Sequence, residues 1–205
     1  MAASVDVYYD FRSPYAYFTA HRIREGSFKP PVEWVWRPVS IDVLLNLQAG
    51  REPWASYVDP LCQAKRAHLL ADVRRSATFY GAPLRSPKPA RQDSVPALCI
   101  TSLLEPDRHE AFRNLVFDAL WQQQRDIADP DVLAACLTEA GYASEILTQA
   151  LSPDARTALA DQTRQAYASG VFGVPSFVFN GEMFFGNDRL DMLAWRMSHP
   201  LQARA

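Results

Sequence analysis

The chain predicts an α/β fold in which a block of helices separates two strand-bearing ends. Three features of its 205 residues carry this. Two β-rich runs near the start enclose a helical spacing, a β-α-β opening. From about residue 41 to 151 the periodicity is helical almost throughout, broken only by the proline-rich stretch 83–96. Beyond Ser152-Pro153 a helix gives way to a hairpin signal and a last helix, an α-β-β-α close.

Val5-Asp-Val-Tyr-Tyr and Val32-Glu-Trp-Val-Trp are runs of β-branched and aromatic residues, the second bounded by Pro30-Pro31 and Pro38, and both predict strands. Between them Tyr17, Phe18, His21 and Arg22 share a helical face; Ser13-Pro14 opens this helix and Gly26 stops it. In the middle block Phe112, Leu115, Val116, Ala119 and Leu120 fall at i, i+3, i+4, i+7 and i+8 behind Asp107, with Glu110 completing a capping signal. Asp129-Pro130 opens the next helix, with Val132, Leu133, Cys136, Leu137 and Ala140 inward and Gly141 as its stop. A further helix follows Ser152-Pro153 and ends at Gly170. Pro175-Ser-Phe-Val-Phe, Asn180-Gly181 and Glu182-Met-Phe-Phe then predict a hairpin, because Asn-Gly accepts the left-handed backbone of a two-residue turn. Asn187-Asp188 caps a final helix with Leu190, Leu193, Ala194 and Met197 on its inner face. This order is that of a thioredoxin-like domain, residues 1–41 and 152–205, with an all-helical domain inserted over 42–151.

Twenty-one Lys and Arg against 23 Asp and Glu leave a net charge of -2, so no sequence-wide field exists to hold nucleic acid or an anionic membrane. No run approaches the ~18 apolar residues of a membrane span, and the first residues lack a basic segment followed by an apolar one. A cytoplasmic protein is expected. Cys62, Cys99 and Cys136 are odd in number, too few for a disulfide framework, and stand in no CxxC or CxxH pattern; they read as buried small hydrophobes, and no metal site is expected.

Ser13 stands where the first strand meets the first helix. A serine before proline there is a helix cap, a device repeated at Ser152-Pro153. In a thioredoxin-like fold the same helix start would carry a CxxC dithiol, and here the four residues are Ser13-Pro14-Tyr15-Ala16. With neither sulfur present, redox cycling needs an external thiol, of which glutathione is the obvious candidate. Lowering a free thiol pKa from about 8.5 to about 6.5 takes about 2.7 kcal/mol. A hydroxyl donating to an anion supplies roughly 1.5 to 3 kcal/mol and a helix N-terminus roughly 0.3 to 1, which suffices. Gly173-Val174-Pro175-Ser176 is either a strand start or the cis proline loop that offers backbone to a bound peptide. Phe185-Gly186-Asn187-Asp188 is either an N-cap or a site for a γ-glutamyl group, with a carboxylate at the helix start and an ammonium on Asp188.

These segments carry a family resemblance. Asp10-Phe-Arg-Ser-Pro-Tyr-Ala-Tyr, Lys65 with Asp72 and Arg75 ahead of Tyr80-Gly-Ala-Pro-Leu, Val171-Phe-Gly-Val-Pro-Ser and Glu182-Met-Phe-Phe-Gly-Asn-Asp-Arg-Leu together resemble the 2-hydroxychromene-2-carboxylate isomerases, relatives of the kappa-class glutathione transferases and of DsbA oxidoreductases. The resemblance implies a homodimer using reduced glutathione on a small aromatic ketoacid. It implies that Ser13 holds the glutathione sulfur, that Val174 beside Pro175 pairs with its backbone, and that Phe185, Gly186, Asn187 and Asp188 hold its γ-glutamyl end. The implied reaction interconverts a cyclic hemiketal acid and an open trans-benzylidenepyruvate: a thiolate adds to the conjugated carbon, the bond rotates, and the thiolate leaves.

The acceptor half departs from the family pattern. Arg51, in Gly50-Arg51-Glu52-Pro53, replaces an asparagine, His68 replaces an aromatic residue, and Gln92-Asp93-Ser94 replaces an Asn-Ser or Asn-Thr segment. Arg51 or Lys65 would grip a substrate carboxylate, or each is a solvated charge. Trp54, Tyr57, Phe79, Tyr80, Phe117 and Trp121 line an aromatic pocket or belong to the core. Two other readings stay open: a kappa-like glutathione transferase or peroxidase that leaves sulfur on its product, and a thioredoxin-like binding module without catalysis.

Overall fold

The computed structural model describes residues 3–56, 58–59, 61–105 and 109–199. Strand β1 (Ser4–Tyr9), helix α1 (Pro14–Arg24) and strand β2 (Glu33–Pro38) form the opening unit, and β1 pairs with β2 in parallel, Val5 opposite Trp34 and Val7 opposite Trp36. Helices α2 (Ile41–Gln48), α3 (Gln63–Tyr80), α4 (Val95–Leu103), α5 (Glu110–Trp121), α6 (Pro130–Glu139) and α7 (Glu145–Ala150) follow. The close comprises α8 (Pro153–Ala168), β3 (Ser176–Phe179), β4 (Glu182–Phe185), a 3-10 turn (Asn187–Arg189) and α9 (Leu190–Ser198). The sheet order is β2-β1-β3-β4, with β3 antiparallel to both its neighbours. Asn180 and Gly181, at φ 49 and 79, make the turn between β3 and β4 as the Asn-Gly pair predicts.

Because successive side chains of a strand point to opposite faces, β1 sits between two cores. Val5, Val7 and Tyr9, all fully buried, join α1, α4, α5 and α6 in one cluster. Tyr8 faces a second cluster made by Val39, Leu44, Ala166, Val171 and Val174. Tyr9, Phe11 and Phe117 interlock at ring separations of 5.3 and 5.0 Å, joining the end of β1 to α5 of the helical block. The inward face expected of α1 is observed, with Tyr17, Phe18, His21 and Arg22 buried, as are Phe112, Val116, Ala119 and Leu120 of α5.

Three expectations need correction. The helical block is broken a second time, between α2 and α3, because Gly50 takes a φ of 66 after α2 and Pro53 and Pro60 follow in sequence. Cys62 is exposed at the start of α3; only Cys99 and Cys136 are buried, and burial pushes the Cys99 thiol up to about 11. Asn187 does not cap α9 directly, since a 3-10 turn intervenes and its side chain turns elsewhere. The expected cap Asp107 lies outside the described residues. Among the described residues no helix is long and apolar enough to cross a membrane, and no group of three or more His, Cys, Asp or Glu side chains is placed to hold a metal ion.

Candidate active site

The turn from β1 into α1 is held by a buried carboxylate. Asp10 is fully buried; one oxygen accepts from the Arg12 N–H at 2.9 Å and the other from the Ile41 N–H at 2.9 Å, while the Ser13 N–H donates to the Asp10 carbonyl at 3.0 Å. One side chain thereby fixes the starts of α1 and α2 together. Ser13, only 5% exposed, caps α1 as its position predicts: Oγ accepts from the Ala16 N–H at 3.2 Å. The same hydroxyl also donates across the fold to the Val174 carbonyl at 3.3 Å. The Val174–Pro175 bond is cis. The cap and the long-range contact are therefore one atom, and local sequence shows only the first.

The end of β4 joins this point from the other side. The Gly186 N–H donates to the Pro175 carbonyl at 2.9 Å. Gly186 has φ 103, and a Cβ there would lie 2.6 Å from Oδ1 of Asp188, so only glycine leaves that carboxylate its place. A Cβ on Gly173 would meet the Phe185 ring at 2.6 Å; Phe185, 45% exposed, lies tilted against Phe172 with ring centres 4.7 Å apart. Asn187 is buried and its Oδ1 accepts from the Thr19 hydroxyl at 3.2 Å, while its carbonyl accepts from Arg22 at 3.1 Å. Arg22 also reaches Asp191 at 3.2 Å and lies 4.7 Å from the Tyr80 ring centre. Asn187 thus anchors the turn to α1. Asp188, its neighbour, stays exposed beside Arg189 at 3.4 Å.

Helix α3 leans on the same end of α1. The Tyr15 hydroxyl donates to Asp72 at 2.7 Å, and Asp72 also pairs with Arg75 at 3.0 Å. The Tyr15 bond first, then Arg75, holds the Asp72 carboxyl below its ordinary range. Burial and then Asp72 push the Tyr15 phenol up.

Of the substrate-side candidates, Pro53 and Trp54 line a cavity of about 360 Å³ together with Arg12 and Arg91, whereas Arg51, Glu52 and Lys65 are not among its lining residues. The Arg51 guanidinium donates to the Ser56 carbonyl at 3.0 Å, Glu52 and Lys65 are exposed, and the buried Pro53 offers its carbonyl to Asn46 at 2.9 Å. Phe117 and Trp121 belong to the core, Phe79 is 81% exposed, Tyr80 packs on Phe18, and Tyr57 lies outside the described residues. Two cavities, about 370 and 360 Å³, open by this end of the fold and share Arg12, Asp42, Arg91 and Gln92. Arg12, inside the Asp10-Phe-Arg-Ser segment, lines both cavities, and a cation next to the candidate hydroxyl is a signal the sequence carries.

Residues 4–198 match the family model of the DSBA-like thioredoxin domain, and the chain belongs to that family. Within it, the 2-hydroxychromene-2-carboxylate isomerase of Pseudomonas putida is 32% identical over 192 residues, 92% of this chain and 91% of that protein. A solved structure of a 2-hydroxychromene-2-carboxylate isomerase superposes with a TM-score of 0.81 at 26% identity, covering 96% of this chain and 95% of the other. Human glutathione S-transferase kappa 1 is 23% identical, over 93% of this chain and 89% of that protein. The thioredoxin-like order read from the sequence is the observed fold.

Proposed function

We propose that the chain is a glutathione-dependent isomerase of a small aromatic ketoacid, converting 2-hydroxychromene-2-carboxylate to trans-o-hydroxybenzylidenepyruvate or a related pair. The observation that carries this is the Ser13 hydroxyl, buried at the start of α1 and within 3.3 Å of the Val174 carbonyl, in a chain whose relatives include named isomerases. The residues present fit the tripeptide. Gly186, by lacking a Cβ, leaves room for the Asp188 carboxylate, which is exposed and placed to meet an ammonium. The Val174 carbonyl, which accepts from Ser13, is a backbone group a peptide can also use. When bound, glutathione supplies a thiolate that adds to a conjugated carbon, allows bond rotation and is expelled unchanged.

Ser13 would then turn its hydroxyl from the carbonyl to the sulfur and, with the positive end of the α1 dipole, favour the charged form. Asn187 holds the 3-10 turn to α1 through Thr19 and Arg22, so Asp188 keeps its distance from Ser13. A cytosolic homodimer belongs to the same proposal, and gel filtration checks the oligomeric state. The test of the reaction is the mass of the product: an isomer has the substrate's mass, whereas an adduct carrying glutathione overturns the isomerase in favour of a transferase, a reading the kappa relative supports. A non-catalytic module predicts no heat on mixing with glutathione and no change in stability on adding it.

A further inference from the structure

Arg113 of α5 is a buried cation whose guanidinium makes no hydrogen bond to any described residue. Its side chain is 3% exposed, its buried Nε has no partner, and the carboxylate beside it, Glu110, stands 3.6 Å away on a side chain that is 65% exposed. One face of the guanidinium lies 4.0 Å from the Trp36 ring centre, which leaves the in-plane donors uncommitted. A buried charge with donors and no acceptor is costly. Burial pushes Arg113 down to about 10 against the pull of Tyr9 and Glu110, with Arg24 adding to the fall, so it stays charged at neutral pH and is incompletely matched. The same side chain lines a cavity of about 500 Å³ between the edge strand β2 and the start of α5. Ile23, Trp34 and Trp36 give that cavity apolar walls, and the exposed Glu33 and Glu110 line it as well. Ile23 lies near the end of α1 that Ser13 does not cap, and the helix rise puts about 15 Å between the two.

We propose that this cavity is a second ligand site, separate from Ser13, for a small aromatic α-amino acid, with its carboxylate on Arg113, its ammonium on Glu110 and Glu33, and its ring against Trp34. The choice follows from the charges. A simple anion would face two exposed carboxylates, and a simple cation would leave the guanidinium unmatched; a zwitterion answers both. In an α-amino acid the two charged groups hang on one carbon, and Arg113 and Glu110, 3.6 Å apart, present the opposite charges over a similarly short span. The planar guanidinium takes a carboxylate end-on through its two terminal nitrogens. A half-buried indole beside an isoleucine suits an aromatic body, and the volume accommodates one.

The test uses the intact protein without glutathione, titrated by calorimetry with L-phenylalanine, with its amide, which lacks the carboxylate, and with N-acetyl-L-phenylalanine, which lacks the ammonium. Phenylalanine is expected to bind at least tenfold more tightly than either derivative. Arg113→Met removes the preference over the amide and Arg113→Lys keeps part of it. Glu110→Gln, at an exposed position, is expected to reduce the preference over the N-acetyl compound at least threefold, and it decides the matter should Arg113→Met fail to fold. Ser13→Ala is expected to leave phenylalanine binding unchanged. No binding of phenylalanine, equal binding of all the probes, preferences that survive the Arg113 and Glu110 variants, or loss of binding in Ser13→Ala overturns the proposal. Glutathione titrated alone reports on the Ser13 site, so a failure there and a failure here give different results.

Discussion

Ser13 performs two tasks with one oxygen, and replacing it by two different residues separates them. Alanine removes the acceptor of the buried Ala16 N–H, a 3.2 Å bond, at a cost of about 1 kcal/mol. For a chain of this size that lowers the melting temperature by about 3 °C. Glycine caps nearly as well as serine, so Ser13→Gly costs only a few tenths of a kcal/mol. The 3.3 Å bond to the Val174 carbonyl is long and adds little to either figure. Both variants lose the same hydroxyl donor, and removal of one donor aimed at a developing anion costs about 100-fold in turnover or more. Melts followed by circular dichroism and initial rates at saturating glutathione are therefore expected to disagree: Gly near the parent in stability and Ala below it, with both equally impaired in rate. If turnover instead follows stability, so that Ser13→Gly is nearly as active as the parent, the hydroxyl is a cap and nothing more.

Asp188→Ala, which removes the exposed carboxylate beyond Gly186, is expected to raise the KM for glutathione about tenfold, worth about 1.4 kcal/mol, while kcat at saturation stays within about twofold; a fall in kcat alone places the tripeptide elsewhere. Tyr15→Phe breaks the 2.7 Å bond from α1 to Asp72 of α3, with an expected cost of about 1 kcal/mol in denaturant unfolding, and an unchanged midpoint refutes the tether. Burial holds the His21 imidazole below its ordinary range, so near pH 6 the unfolded chain binds this proton more readily than the folded one. Stability from this group is present above about pH 6.5 and is lost as pH falls below it, and His21→Gln is expected to flatten that slope. Parallel slopes in the two proteins contradict the assignment.

Patterns that repeat within one element were legible from the chain. The faces of α1 and α5, the Asn180-Gly181 turn and the caps at Ser13, Asp129 and Ser152 depend on neighbours a few residues away, and all are observed. The break between α2 and α3 escaped because a helical average over the block outweighed Gly50, Pro53 and Pro60. Cys62 escaped because a cysteine's burial depends on what packs over it, and nothing local records that its helix start faces solvent.

Sequence by itself determined the order of strands and helices, the absence of a dithiol at the start of α1 and the identity of the hydroxyl that stands there, since each is written in residues adjacent along the chain. Only the tertiary structure decided that this hydroxyl meets the Val174 carbonyl 161 positions away, that Asn187 is spent on Thr19 and Arg22 while Asp188 is left exposed, and that Arg12 rather than Arg51 stands beside a cavity with Arg91. Those pairings are set by how the sheet and the helical block close on one another, and a closure between distant segments leaves no periodic trace in either of them.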